Sequence, residues 1–364
     1  MIDSQEIDAK ADELGVHTSN VQRDYVFGWL LAGLAQAHNL LQPLLILKGG
    51  NCFRKAYFEH TRFSNDLDFS TQTELDADRL LEGLRQACAY ASERSGVDFL
   101  VDQSRVAERR LADSEARMYD ARVYFKSFYG EQDVRIRVDL DVKEYDRLFL
   151  PVQSRRLIHA YSDAASCQAD IRCVKLEELL ASKLKALLQR QHSPDLYDFV
   201  HAVFFQKSLA ISRREVLMTF LKQTIYEPEP KIARNLLLEL PFQAIRGLWN
   251  EYLVCPKLAL FSFEDAETWF RNVIGEIFAM SEPQLAYAGM PGPILGRAAL
   301  SYFPPGARSD IMESARLHRL LRFVYDGLER IVEPYALVFK RRCSAGRWST
   351  RWSGPTIPMA RCAT

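Results

Sequence analysis

The segment 43–70 constrains the fold more strongly than any other part of the sequence. It opens with the apolar run LLIL at 44–47, which lies between a proline and the pair Gly49-Gly50 and is typical of a buried strand. Residues 51–59 have the pattern of a helix, and residues 63–70 alternate between polar and apolar side chains as a strand does. A strand, a glycine turn, a helix and a returning strand can place the two strands side by side, so the segment predicts an α/β fold.

The glycine pair lies where a chain of this kind can bind phosphate. Because they have no side chains, Gly49 and Gly50 let the backbone approach an anion, and the helix that follows presents free N–H groups and the positive end of its dipole. Asn51 could add a side-chain donor, and Arg54, one turn into the helix, could reach the same anion. A glycine pair between a strand and a helix is also a common plain turn, so this interpretation needs a second observation.

Asp66 and Asp68 supply that second observation. Side chains on a strand alternate between its two faces, so these two carboxylates point the same way. Two carboxylates on one face can hold Mg²⁺ in a phosphoryl-transfer site. They come one helix and one turn after Gly50, which predicts a metal-binding pair facing the phosphate-binding turn.

The strand predicted over residues 133–143 carries another aspartate pair. A two-metal site often takes a further carboxylate from a neighbouring strand, which deprotonates or positions the attacking hydroxyl. Either Asp139 or Asp141 could fill that place. Both share a face with Arg135 and Arg137, and a solvated edge strand of mixed charge would show the same pattern.

An amphipathic helix predicted over residues 176–189 contributes positive charge. Lys183 and Arg190 recur at helical spacing and could neutralise a triphosphate, although a surface lysine is the plainer interpretation. After this helix, Asp195 follows a proline and is expected to cap the next helix, with Asp198 one turn further along.

The chain divides into three predicted regions: an α/β domain over 1–160, a helical domain over 161–287 and a C-terminal region over 288–364. The last region contains a linker rich in Gly and Pro, two strands around Asp326-Gly327 and, from residue 340, a basic tail that we expect to be disordered. Its positive charge could assist RNA binding, but a tail without function fits equally well. The remaining predicted elements are helices at 5–40, 76–93 and 194–205 and antiparallel strands at 97–103 and 117–127.

The composition excludes several classes of protein. Hydrophobic residues make up 48% of the chain and charged residues 26%, which excludes global disorder. The 47 basic and 47 acidic residues balance, so any nucleic-acid surface must be local. We find no run near the roughly 20 apolar residues of a membrane span. The seven cysteines are scattered without a CxxC pair, which predicts reduced thiols in the cytoplasm and no zinc site.

Three blocks together, ILKGGNCFRKAYFEHTRFSNDLDFS, SKLKALLQR and PDLYDF, resemble the AbiEii/AbiGii-type nucleotidyltransferase toxins of type IV toxin–antitoxin systems. The similarity covers about residues 20–205. It implies a polymerase-β-like nucleotidyltransferase domain followed by a helical domain, and transfer of a nucleotide from an NTP with Mg²⁺, or Mn²⁺, as cofactor. It also implies a winged-helix antitoxin as partner and an RNA acceptor such as a tRNA 3′ end.

The resemblance also assigns roles to individual residues. It implies that the metal is bound by Asp66, Asp68 and Asp141 (or Asp139), and that these carboxylates and Lys183 are catalytic. The residues that it implies bind the nucleotide are Gly49, Gly50, Asn51, Arg54, Lys183, Asp195 and Asp198. Asn51 stands where the family usually has Thr, and Pro194 replaces a basic residue. Neither change touches a metal carboxylate, so we expect activity to survive. Other hypotheses are nucleotide transfer onto a protein side chain, or a catalytically silent NTP sensor or nucleic-acid-binding regulator.

Overall fold

The structure is a computed structural model that describes most of the chain up to residue 279 and four short strands near its C-terminal end. The described residues are 2–110, 117–129, 135–143, 146–205, 209–279, 320–325, 328–332, 336–342 and 345–351. The linker expected near residues 287–305 therefore lies outside the described residues.

A seven-stranded mixed sheet forms the first half of the molecule. Its strands are β1 (Ile46–Lys48), β2 (Asp66–Ser70), β3 (Arg105–Arg110), β4 (Arg117–Lys126), β5 (Arg135–Lys143), β6 (Gln153–Arg156) and β7 (Asp170–Cys173). Their order across the sheet is β3-β4-β5-β2-β1-β7-β6. The pairs β2–β5 and β1–β7 are parallel, and the other neighbours are antiparallel. This mixed sheet with its helices confirms the predicted α/β fold class.

Eleven α-helices accompany the sheet in the described part of the chain. They are α1 (Ser4–Leu14), α2 (Thr18–Leu34), α3 (Gly49–Cys52), α4 (Ala77–Ser95), α5 (Leu176–Arg190), α6 (Ser193–Val200), α7 (Arg213–Lys222), α8 (Pro230–Leu238), α9 (Phe242–Gly247), α10 (Trp249–Tyr252) and α11 (Phe263–Ala279). None of the helices that the structure describes is long and apolar enough to span a membrane.

The two faces of the sheet differ because the strands alternate. On one face, apolar side chains such as Leu67, Phe69, Val138 and Leu140 are buried in a core shared with α2 and α4. These two helices pack closely against each other, since a side chain at Gly33 would collide with the backbone of α4. On the other face the same strands present charged side chains. The functional residues of β2 and β5 lie on this polar face.

The helical region contacts the loop between β5 and β6 through the carboxylate of Glu178, which is buried. This side chain on α5 accepts the backbone N–H groups of Phe149 at 2.8 Å and Leu150 at 2.7 Å. The sheet extends past residue 160, where we expected the first domain to end, because β7 pairs in parallel with β1. One continuous hydrophobic core runs through both regions.

Several helix boundaries differ from the predictions for local reasons. The helix expected over 5–40 is interrupted at Gly15, whose φ of 68° is left-handed and ends α1. The next helix begins at Thr18 and is capped by His17, whose side chain accepts the backbone N–H of Ser19. The helix predicted over 51–59 is the short α3 followed by a π-helical turn.

Two predicted segments near the sheet and the C-terminus also differ. Residues 97–103 contain a 3₁₀ turn, and the strand begins only at Arg105. The hairpin expected around Asp326-Gly327 is present as β8 (Leu321–Tyr325) and β9 (Leu328–Val332). Part of the tail expected to be disordered is instead a second hairpin, formed by β10 (Ala336–Arg342) and β11 (Ala345–Arg351).

Candidate active site

Strand pairing brings the predicted carboxylates together on the polar face of the sheet. Asp68 lies opposite Lys48 in the antiparallel pair β1–β2 and opposite Asp141 in the parallel pair β2–β5. Asp66 lies opposite Asp139 in the same parallel pair. Because opposed residues in a ladder share a face, four carboxylates from two strands meet at one place.

Three of these four form a cluster that fits a divalent cation. Ligand oxygens of Asp66, Asp68 and Asp141 all lie within 4.8 Å of one another, and each side chain is half-buried. Mg²⁺ and Mn²⁺ prefer oxygen ligands, and carboxylates supply them. The donor set is therefore suited to such an ion.

The cluster carries more negative charge than its surroundings neutralise. Burial, reinforced by the neighbouring Asp66, raises the pKa of Asp68 to about 6, and Lys48 opposes this only in part. Burial and the adjacent Asp120 raise the pKa of Asp141 to about 6 as well. A bound cation would relieve this repulsion, which is a second reason to regard the cluster as a metal site.

The glycine bend touches this cluster directly. Gly49 has a φ of 70°, and a side chain there would meet Asp68 Oδ2 at 1.9 Å. Gly50 is equally crowded, because a Cβ would lie 2.7 Å from the guanidinium of Arg62 and 2.6 Å from Ser64 Oγ. Gly49 therefore has to be glycine, a side chain at position 50 would displace Ser64 or Arg62, and the backbone between β1 and α3 lies against the carboxylates.

Asn51 and Arg54 lie behind the bend and not in the open site. The Asn51 amide is buried and donates to the backbone carbonyl of Asp66. Arg54 is also buried: its guanidinium pairs with Asp24 at 2.7 Å and donates to the carbonyl of Thr61 at 2.8 Å. These contacts already use the groups that we expected to bind phosphate, so both residues position the site from within the protein.

Lys183, Asp195 and Asp198 meet in a buried ion-pair cluster beside the bend. Lys183 Nζ lies 2.9 Å from Asp195 and 2.8 Å from Asp198, and Arg62 binds Asp198 through two nitrogens at 2.7 and 2.8 Å. Burial by itself would raise the pKa of both carboxyl groups. Lys183 and Arg190 outweigh it at Asp195, and Arg62 and Lys183 outweigh it at Asp198, so both pKa values are lowered.

Two of the plainer interpretations for this cluster are therefore wrong. Lys183 is not a surface lysine, because its side chain is only 9% exposed. Asp195 is not a helix cap, because α6 begins at Ser193 and Asp195 lies within its first turn. Arg190 also pairs with Asp195, at 2.7 Å, and is the basic residue of this cluster that reaches solvent, because its side chain is 58% exposed.

The structure also separates the two aspartates that the sequence could not distinguish. Asp139 pairs with Arg137 at 2.8 Å and with Arg122 at 3.5 Å. Asp141 instead belongs to the carboxylate cluster. Its place beside Asp68 makes Asp141 the third carboxylate, and Asp139 is held by arginines.

Sequence reasoning missed three side chains that shape the site. Asp120 on β4 lies opposite Asp141, Ser64 Oγ donates to Asp66 at 3.0 Å, and Arg62 ties the glycine bend to Asp198. Arg62 and Ser64 belong to the RFSNDLDF block together with Asp66 and Asp68, so the sequence could have indicated that they lie near the site. Asp120 had no such signal, because its role depends on how β4 pairs with β5.

Similar solved structures include a toxin from Mycobacterium tuberculosis and a chain from Helicobacter pylori. MenT4, a nucleotidyltransferase toxin from Mycobacterium tuberculosis, is 19% identical, and the match covers 78% of this chain and 91% of that chain with a TM-score of 0.46. JHP933 from Helicobacter pylori is 16% identical, with 74% and 95% covered and a TM-score of 0.44. A search of curated proteins gave no match.

A family model gives the more decisive result. The model described as nucleotidyl transferase AbiEii toxin, type IV TA system, matches residues 29–253, which is more than half of the chain. The matched region contains the glycine bend, the three clustered carboxylates and the buried ion-pair cluster. The chain therefore belongs to the AbiEii family of nucleotidyltransferase toxins of type IV toxin–antitoxin systems, and its enzymatic class is that of a nucleotidyltransferase.

Proposed function

We propose that this enzyme transfers a nucleotide from an NTP to an RNA acceptor, such as a tRNA 3′ end, with Mg²⁺ held by Asp66, Asp68 and Asp141. One observation carries the proposal: three carboxylates with surplus negative charge lie against a bend whose first residue, Gly49, has to be glycine. Phosphoryl transfer needs positive charge where the triphosphate and the attacking hydroxyl meet, and a cation held by these carboxylates would supply it beside the bend.

Each part of the site has a distinct task in this proposal. Bound Mg²⁺ would supply charge neutralisation at the triphosphate and at the leaving pyrophosphate. Asp141 orients the acceptor hydroxyl, since it lies on the strand farther from the bend. The backbone at Gly49 and Gly50 approaches the phosphates, and the exposed guanidinium of Arg190 neutralises their charge. Lys183, Asp195 and Asp198 hold that arginine and the bend in place.

The central test is an assay with RNA, cell extract and α-labelled NTPs. We expect label in RNA that depends on added Mg²⁺ or Mn²⁺. Asp68→Asn should reduce transfer at least 1,000-fold, because it removes a metal ligand while keeping the shape of the side chain. The matched control is Asp170→Asn at the start of β7, an aspartate whose side chain is 69% exposed and which is not part of the carboxylate cluster.

Other outcomes would contradict parts of the proposal. Label in protein and not in RNA would establish a side-chain acceptor. No label with either metal would indicate a silent NTP sensor or a nucleic-acid-binding regulator. Wild-type rates from Asp68→Asn would refute the metal assignment.

The toxin family also suggests how the protein is controlled. We expect expression of this chain to arrest growth and co-expression with a small winged-helix antitoxin to restore it. Growth arrest by the Asp68→Asn variant would separate toxicity from nucleotide transfer.

A further inference from the structure

The polar face of β3, β4 and β5 carries a row of arginines next to the carboxylate cluster. Arg105 lies opposite Arg122 in the pair β3–β4, and Arg122 lies opposite Asp139 in the pair β4–β5. Tyr124 lies opposite Arg137 one step further along the same pair. Because opposed residues share a face, all of these side chains are on the face that holds the catalytic carboxylates. We call this surface the arginine face and define it by Arg105, Arg109, Arg122, Tyr124 and Arg137.

The arginine face has a positive balance and is open to solvent. Arg109, Arg122 and Arg137 have side chains that are 65%, 49% and 55% exposed. Two carboxylates partly neutralise them: Asp120 pairs with Arg109, and Asp139 pairs with Arg122 and Arg137. Apart from the neighbouring carboxylate cluster, four arginines against two aspartates leave this surface net positive, on a chain whose formal net charge is zero.

The distance from the cluster suits the terminal nucleotides of a strand. Arg122 lies two residues along β4 from the partner of Asp141, and Arg137 lies four residues along β5 from Asp141 itself. At about 3.3 Å per strand residue, these steps correspond to about 7 and 13 Å. Tyr124, which is opposite Arg137 and two residues along β4 from Arg122, offers an aromatic ring on which a base can stack.

The opposite side of the cluster is already occupied by other groups. The glycine bend and the Lys183–Asp195–Asp198 cluster lie on the side of β1, where the triphosphate would bind. A second substrate therefore has to approach from the side of β5. Arginines next to an aromatic ring match the alternation of phosphates and bases in a nucleic-acid strand, whereas an acidic peptide would make no use of the ring.

We propose that the arginine face binds the single-stranded 3′ segment of the acceptor RNA, with its phosphates on the arginines and a base on Tyr124. This surface delivers the terminal hydroxyl to Asp141. The proposal rests on the proposed function, because it gives the acceptor of that reaction a place to bind.

A binding assay without NTP tests the arginine face separately from catalysis. The probe is a fluorescein-labelled single-stranded RNA of about 12 nucleotides, measured by anisotropy over a series of salt concentrations. Arg122→Gln/Arg137→Gln should weaken binding at least 10-fold at low salt. It should also reduce the slope of log K against log salt by about 1.4, since each lost phosphate contact on a single strand removes about 0.7. Tyr124→Leu should weaken binding several-fold, and Tyr124→Phe should not.

The matched control is Arg85→Gln/Arg94→Gln, which removes two exposed arginines from α4. This variant should bind RNA like the wild type. Circular dichroism and thermal melting of every variant establish that the fold is kept. In the transfer assay, the double variant on the arginine face should raise the KM for RNA at least 10-fold and leave the KM for NTP unchanged.

The outcomes separate the two proposals. If the wild type labels RNA and the arginine-face variant retains its affinity, its salt slope and its KM, the arginine face is refuted and the proposed function stands. If the wild type labels no RNA but the variant loses oligonucleotide binding, the face stands and the proposed acceptor chemistry fails. If the arginine-face variant binds RNA like the wild type but no longer binds an acidic protein partner, the arginine face is a protein interface and the inference is overturned.

Discussion

The molecule contains two clusters of aspartates that are close together and physically opposite. Asp66, Asp68 and Asp141 are partly open and repel one another, and the pKa values of Asp68 and Asp141 are raised to about 6. Asp195 and Asp198 are buried, but basic partners lower their pKa values. The first cluster is only partly neutralised by nearby basic residues and is suited to bind a cation, whereas the second is already neutralised and holds the site together.

The largest effect on stability should come from the neutralised cluster. Asp198→Ala leaves Arg62 and Lys183 buried without this partner, so we expect it to lower the free energy of unfolding by about 3–5 kcal/mol. Urea unfolding measures this change. The control Asp170→Ala, at the start of β7 with its side chain 69% exposed, should cost less than about 0.5 kcal/mol. A loss at Asp198 as small as the control would mean that the cluster does not stabilise the fold.

The next effect concerns the bend between the two clusters. Gly49→Ala adds a methyl group where Asp68 Oδ2 now lies and places alanine in a left-handed conformation. We expect nucleotide transfer to fall at least 100-fold, because the metal ligand must move. A matched Gly247→Ala change has nothing within 4 Å of the new Cβ and should leave transfer unchanged. Equal activity of both variants would show that the bend tolerates a displaced carboxylate.

The sequence predicted the proximity of Asp66 and Asp68 to the glycine bend better than it predicted the neutralised cluster, for a physical reason. Strand alternation fixes the direction of Asp66 and Asp68, and the glycine turn fixes which strand lies beside them. Both are local properties of the chain. The burial of Lys183 and the pairing of Arg54 with Asp24 depend on tertiary contacts between distant segments. No local pattern distinguishes a lysine that faces solvent from one that faces two buried aspartates.

The same contrast between local patterns and tertiary contacts applies to the fold. The alternating segment predicted over 133–143 became β5 with nearly the expected bounds, since its pattern is strict. The break at Gly15 was missed although a glycine there is a local signal for a helix C-terminus, and its left-handed φ ends α1. The choice between Asp139 and Asp141 also required the partner strand, since Arg122, which pairs with Asp139, comes from β4.

A smaller effect should appear in the stability of the metal-free protein. The pKa of Asp68 is raised from its ordinary value to about 6, so the folded state binds this proton more tightly than the unfolded state. The free energy of unfolding should therefore fall as pH rises from about 4 to 6 and stay lower at neutral pH. Asp68→Asn removes this loss and should stabilise the protein by about 1–2 kcal/mol at pH 7.5 in EDTA.

Urea unfolding at pH 4.5 and 7.5 tests this prediction. The gain of Asp68→Asn over the wild type should shrink at the lower pH and also when Mg²⁺ is added at the higher pH. A variant that is less stable than the wild type at pH 7.5 in EDTA would show that Asp68 is a structural residue like Asp198.

The smallest effect should come from Asp139, which sits between the carboxylate site and the arginine face. Its removal in Asp139→Asn leaves all three metal ligands intact and frees Arg122 and Arg137 from their shared partner. We expect kcat to stay within about threefold of the wild type and the KM for RNA to fall by a similar small factor, because the surface becomes more positive. Asp141→Asn, two residues away on the same face, should instead abolish transfer. Steady-state kinetics on both variants measures the contrast, and a loss in Asp139→Asn as deep as that in Asp141→Asn would return Asp139 to the metal site.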